Sequence, residues 1–126
     1  MHQFVELYQS AGNESVAEAL LAPDFVDHTP FPGFEGSRED VLNHFRMLRA
    51  AFPDLRAEVV SQFTDGERVA THKIYYGTHT GPFLGVQPTK RNVKIQVMDI
   101  VRIAGGQIRE HWNVVNVPDL MSQLQR

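Results

Sequence analysis

The chain is predicted to fold in the α+β class, with three N-terminal helices gathered on the concave face of a strongly curved antiparallel sheet. Three observations lead there. Val41, Phe45, Leu48 and Phe52 recur at i, i+4, i+7 and i+11, a single helical stripe in the first half of the chain. After Pro53 the period shifts toward two, and tight turns follow at Asp65-Gly66 and Gly105-Gly106. The helical and strand-rich parts follow one another instead of alternating, which segregates helices from sheet.

The elements follow in order. Phe4, Val5, Leu7 and Tyr8 give a short amphipathic helix that ends near Gly12. Ser15 with Glu18 forms a capping box for a second helix through Leu21, stopped at Pro23. Phe25 to Thr29 is a short extended segment, followed by a loop stiffened by Pro30, Pro32, Gly33 and Gly36. Ser37 caps the third helix, which Pro53 ends. Strands are expected at 56–63, 67–78, 92–103 and 107–117, with a Gly/Pro-rich loop at 81–89 and a short terminal helix around Leu120 and Leu124.

At 126 residues the chain fits one domain, spanning 1–126. The net charge of −3 argues against a nucleic-acid partner, which calls for a concentrated basic face. The absence of cysteine excludes disulfide and thiol chemistry. No apolar run reaches membrane-spanning length, and Met1-His2-Gln3-Phe4 does not open a charged leader with an apolar stretch, so the cytoplasm is expected. None of the six histidines has zinc-site spacing, and no phosphate loop or nucleophile elbow occurs, so no metal or cofactor is expected.

The chemistry concentrates in the last third. Side chains alternate across a strand, so Val93, Ile95, Val97, Asp99, Val101 and Ile103 share one face, placing a carboxylate in an apolar row. On the next strand His111 and Asn113 share a face, and the hairpin at Gly105-Gly106 brings Asp99 near their level if the register is regular. A bulge would change that, because a one-residue slip exchanges the faces. Earlier, His72, Ile74 and Tyr76 share one face, with Thr71, Lys73 and Tyr75 opposite. A curved sheet covered by helices leaves a cone open at one end, which Phe4, Tyr8, Phe25, Phe45 and Phe83 can wall. His28, His72, Tyr76, Phe45 and Phe83 are assigned to substrate binding.

Several segments carry a family resemblance: Asp24-Phe25-Val26-Asp27-His28-Thr29-Pro30, Phe52-Pro53-Asp54-Leu55, Gly77-Thr78-His79-Thr80-Gly81, Leu84-Gly85 with Pro88-Thr89, and Glu110-His111-Trp112. In this order the chain resembles the SnoaL-like polyketide cyclases, or ester cyclases, of the NTF2-like (cystatin-like cone) superfamily. The resemblance implies an intramolecular aldol closure without metal or organic cofactor. It also implies an acid/base carboxylate two residues after a histidine on the last long strand. That histidine matches His111, but the next position is Asn113, an amide that can hydrogen-bond an enolate and cannot take a proton at neutral pH. A cavity-facing position on the preceding strand matches Asp99, and a polar one near the start matches Asp27.

Desolvation in an apolar cone raises a carboxyl pKa, so Asp99 is the expected base. His111 and Asn113 then hydrogen-bond substrate oxygens, and Asp27 is a reserve base or the orienter of a histidine. Asp99 is equally suited to an ion pair with Arg102, Arg109 or Lys94, and Asp27 to Asx-type bonds in the Thr29-Pro30 loop. His79, between glycines, reads as structural. The expected partner is a small hydrophobic, oxygenated substrate of polyketide type. Isomerase, dehydratase or hydrolase activity in the same cone is the enzymatic alternative, and a pocket that binds without turnover is the other. Tyr75, Met98, Ile100, Trp112 and Val114 make the outer sheet face too apolar for open solvent, so a homodimer through that face is expected.

Overall fold

The computed structural model describes residue 8, residues 12–31 and residues 33–125. The helix expected from Phe4 to Tyr8 lies outside these, apart from Tyr8, which is buried in the core.

The described elements are α1 (Glu14–Leu20), β1 (Leu21–Asp27), α2 (Arg38–Ala51), β2 (Arg56–Asp65), β3 (Arg68–Thr78), β4 (Asn92–Ala104), β5 (Gln107–Val115) and α3 (Val117–Gln125). The five strands form one curved, unclosed sheet in the order β1-β5-β4-β3-β2. β2 through β5 pair antiparallel, and β1 joins the edge parallel to β5. No described helix is long and apolar enough to cross a membrane.

Local chemistry explains most boundaries. Ser37 accepts the Asp40 backbone N–H and starts α2, whose buried face is Leu42, Phe45, Leu48 and Ala51. At α1 the cap falls on Asn13 instead of Ser15, because the Asn13 side chain accepts the Ser15 N–H. The chain after Leu20 does not pause at Pro23; it enters β1 and carries the proline on a sheet edge, where a missing N–H costs little.

The core lies between the inner sheet face and the helices. Val93, Ile95, Val97 and Val101 of β4 point into it, with Phe52, Leu120 and Leu124 from the helical side. Along β4 burial alternates strictly up to Val101, the period of a strand with one wet face.

Candidate functional site

Register decides which polar groups reach the interior. The turn after Ala104 starts a regular hairpin, Ala104 opposite Gln107 and Ile103 opposite Ile108. Continued unbroken, it would set Trp112 against Asp99. It is broken by one residue: Arg102 pairs with Glu110, so Arg109 is an extra residue, a β-bulge. The Arg109 guanidinium anchors it, donating to the Ala104 carbonyl at 3.2 Å and to Asp24 at 3.1 Å. Beyond the bulge Asp99 faces Asn113 and Val101 faces His111, and Trp112 is turned to the outer side.

The next register places the counterion. Thr71 lies opposite Asp99 and Lys73 opposite Val97, so both share the inner face with Asp99. The Lys73 ammonium meets Asp99 Oδ2 at 2.5 Å, with each side chain only 1% exposed. Asp99 thus pairs with Lys73, not with Arg102, Arg109 or Lys94.

His111 stands between two carboxylates. Asp27, at the end of β1, lies beside it in the parallel register, and His111 Nδ1 is 3.1 Å from Asp27 Oδ1. A carboxylate only accepts, so Nδ1 carries the hydrogen and Nε2 is left to bind or release a proton. Nε2 is 3.7 Å from Asp99 Oδ2, an ion-pair distance beyond hydrogen-bond range. Asp27 is itself fixed by Thr29, whose N–H donates to Oδ1 at 3.0 Å, while the Thr29 hydroxyl accepts the Asn113 N–H at 2.7 Å. The Asx-type loop and the contact with a histidine therefore coexist at Asp27. Gly36 makes room for this: its φ is +95° and its carbonyl accepts the Asp27 N–H at 2.8 Å, and a Cβ there would strike the Asp27 carbonyl oxygen.

The electrostatics follow from these contacts. Burial alone would lower the His111 pKa, but the hydrogen bond to Asp27 and the negative charges of Asp27 and Asp99 outweigh it and hold the value above the ordinary 6.5. Burial alone would raise Asp99, but Lys73 first and His111 second hold it below the ordinary carboxylate value. Asp99 is therefore an ion-paired carboxylate, contrary to the desolvated base expected from its apolar row. Asp27 is likewise held low, because His111 and Thr29 outweigh its burial. Burial pushes the Tyr75 phenol well up, so it stays protonated.

These groups line one cavity, with about 820 Å³ of empty space counted out to its mouth. Asp27, Asp99, His111, Asn113, Phe45 and Phe83 all line it, as do Lys73, Tyr75 and His44, none of which was expected in the site. Three expected substrate contacts are not there. His28 follows the inward Asp27, so alternation turns it out, where it stacks on Trp112 at 4.7 Å and approaches Glu110 at 3.1 Å. His72 faces Met98 on the outer side and contacts Gln96 at 3.0 Å. Tyr76 lies on that same side under Arg56, 4.2 Å from its ring centre. Tyr75, expected outside, is 6% exposed and inside. His79 is buried against Phe52, and Thr89 donates its N–H to Nδ1, a structural role. Among the described residues no cluster of three or more histidine and carboxylate side chains is arranged to hold a metal.

A curved sheet whose cavity is lined by a histidine–carboxylate cluster defines an α+β pocket protein. The SnoaL-like polyketide cyclase family model matches residues 1–124, and the chain belongs to that family. It is 25% identical over 121 residues to nogalonic acid methyl ester cyclase of Streptomyces nogalater, covering 93% of this chain and 87% of that one. It is 27% identical over 117 residues to aklanonic acid methyl ester cyclase DnrD of Streptomyces peucetius, covering 88% and 78%. Among solved structures, IdmH, a candidate polyketide cyclase of Streptomyces antibioticus, matches with TM-score 0.85 and 31% identity over 99% of this chain and 97% of that one. AclR, a candidate hydroxylase of Streptomyces galilaeus, matches with TM-score 0.87 and 30% identity over 98% and 91%.

Proposed function

We propose that this chain closes a ring in a polycyclic, ester-bearing polyketide by intramolecular aldol reaction, with His111 carrying the proton. The observation that supports this most is the position of His111, pinned by Asp27 at Nδ1 and faced by Asp99 near Nε2, in a mostly apolar cavity. Nε2 removes a proton from the carbon next to a carbonyl. The resulting imidazolium lies between two carboxylates, and its proton affinity is tuned upward by them. The enolate carbon then attacks a second carbonyl of the same molecule, and the new alkoxide takes the proton back from Nε2. The Asn113 amide hydrogen-bonds the oxygen on which charge develops, a contact of the kind worth roughly 10²–10³ in rate. Asp99, expected from the sequence as the base, acts with Lys73 to stabilise the charged imidazole. The chemistry draws on protein side chains alone.

The substrate we propose is a methyl ester of the kind for which the two relatives are named. Incubation with aklanonic acid methyl ester or nogalonic acid methyl ester tests it. Aldol closure loses no atoms, so the expected product has the mass of the substrate and a different retention time. Recovery of both esters unchanged contradicts the reading.

We further propose that the outer sheet face binds a second copy of the chain. Met98, Ile100 and Val114, with exposures of 59, 40 and 74%, form a contiguous patch across β4 and β5 next to Trp112.

A further inference from the structure

His44 takes no part in the proton transfers above, yet it lines the cavity from α2 beside Asp27 and Phe31. It also lines a second, small pocket with Phe34 and Gly36. Its ring is stacked on Phe31, with centroids 4.9 Å apart and planes 18° apart, and is tilted against Phe34 and Phe45. Neither ring nitrogen hydrogen-bonds to a described residue, and neither is sealed from open space.

Both ring nitrogens are open to the cavity, so a polar group that enters it can replace water as their hydrogen-bond partner. Burial pushes its pKa down to about 4, His111 adds to that push and Asp27 opposes it, so the ring is neutral at physiological pH. A neutral imidazole offers one donor and one acceptor. A hydroxyl, which both donates and accepts, matches it. A carboxylate gains no charge pairing from the neutral His44 ring and meets Asp27 close by. Phe31 presents a flat surface next to the same ring, which suits an aromatic carrier for that hydroxyl.

We propose that His44 is a recognition residue that hydrogen-bonds a phenolic hydroxyl on a flat aromatic ring seated against Phe31. This rests on reading the cavity as the site of a polycyclic, oxygenated substrate, and it deepens that reading by naming the group recognised on the helical wall.

The test uses two probes of equal shape, 2-naphthol and 2-methylnaphthalene, titrated into the full chain by NMR. His44→Phe keeps the ring stack and removes both nitrogens. The expected result is about a tenfold fall in the 2-naphthol to 2-methylnaphthalene affinity ratio, the size of one lost hydrogen bond. His44→Gln, which keeps a donor and an acceptor, is expected to retain part of the preference. Circular dichroism confirms that each variant is folded. A ratio within twofold of wild type in His44→Phe overturns the assignment, as does a wild-type protein that binds neither probe. Ring closure is read separately in His111→Gln: no closure by wild type counts against the proposed reaction alone, whereas a naphthol preference that depends on His111 and not on His44 counts against this inference alone.

Discussion

The buried row Lys73–Asp99–His111–Asp27 alternates in charge, and each member constrains the next. Lys73→Met removes the partner of a carboxylate that is 1% exposed. It is expected to cost about 3–5 kcal/mol in chemical denaturation, because an uncompensated buried charge remains. The double variant Lys73→Met/Asp99→Leu is expected to recover much of that loss, and a double variant no more stable than the single one contradicts the pairing. Asp99 and His111 were legible as a pair because both are polar residues on strands rich in valine and isoleucine. Lys73 was not legible. His72-Ile74-Tyr76 and Thr71-Lys73-Tyr75 carry similar mixtures of polar and apolar side chains, so composition alone does not say which set faces inward. The pairing of Thr71 with Asp99 settles it, and that pairing crosses a long loop. His44 was missed for a related reason: it falls between the apolar positions that identify the α2 stripe.

At the level of elements, α2 and the β2 to β5 hairpins were readable from period, caps and turns, with ends shifted by a few residues. The bulge at Arg109 was not, since nothing in a period of two marks where an extra residue is inserted. It nonetheless determines the chemistry. Deleting Arg109 should turn the bulge into a regular ladder that keeps Val101 opposite His111 and Asp99 opposite Asn113, so the inward set and the activity are expected to survive. Loss of turnover in a folded deletion variant counts against this register argument. Gly36→Ala is expected to lower the melting temperature, at a cost of about 1–3 kcal/mol. It should also reduce turnover, because the added methyl displaces the Asp27 backbone on which the His111 contact depends. A stable, fully active Gly36→Ala protein argues against that dependence.

For the whole molecule, two consequences are measurable. The outer face of Met98, Ile100 and Val114 should hold a dimer in sedimentation, and Val114→Glu should release monomers; a wild-type monomer at micromolar concentration rules out this interface. The charged row also shapes stability against pH. Asp27 and Asp99 have folded pKa values below the ordinary 3.8, so their stabilisation is complete above 3.8 and is lost as pH falls through the lower folded values. His111 has a folded value above 6.5, so its contribution is complete below 6.5 and is lost as pH rises through the folded value. Melting temperature should therefore be greatest between these limits, and His111→Gln should flatten the decline on the alkaline side. A decline of equal slope in that variant places its origin elsewhere.

The most direct measurement is the pH dependence of turnover in wild type and in Asp27→Asn. With His111 as the proton acceptor, wild-type activity rises with pH through a value above 6.5, because the ring must be neutral to act. Removing the Asp27 charge weakens the hold on that proton, so the rise moves to lower pH and the maximal rate falls. A rise centred in the ordinary carboxylate range and unmoved by Asp27→Asn would show that an acid side chain, and not His111, takes the proton.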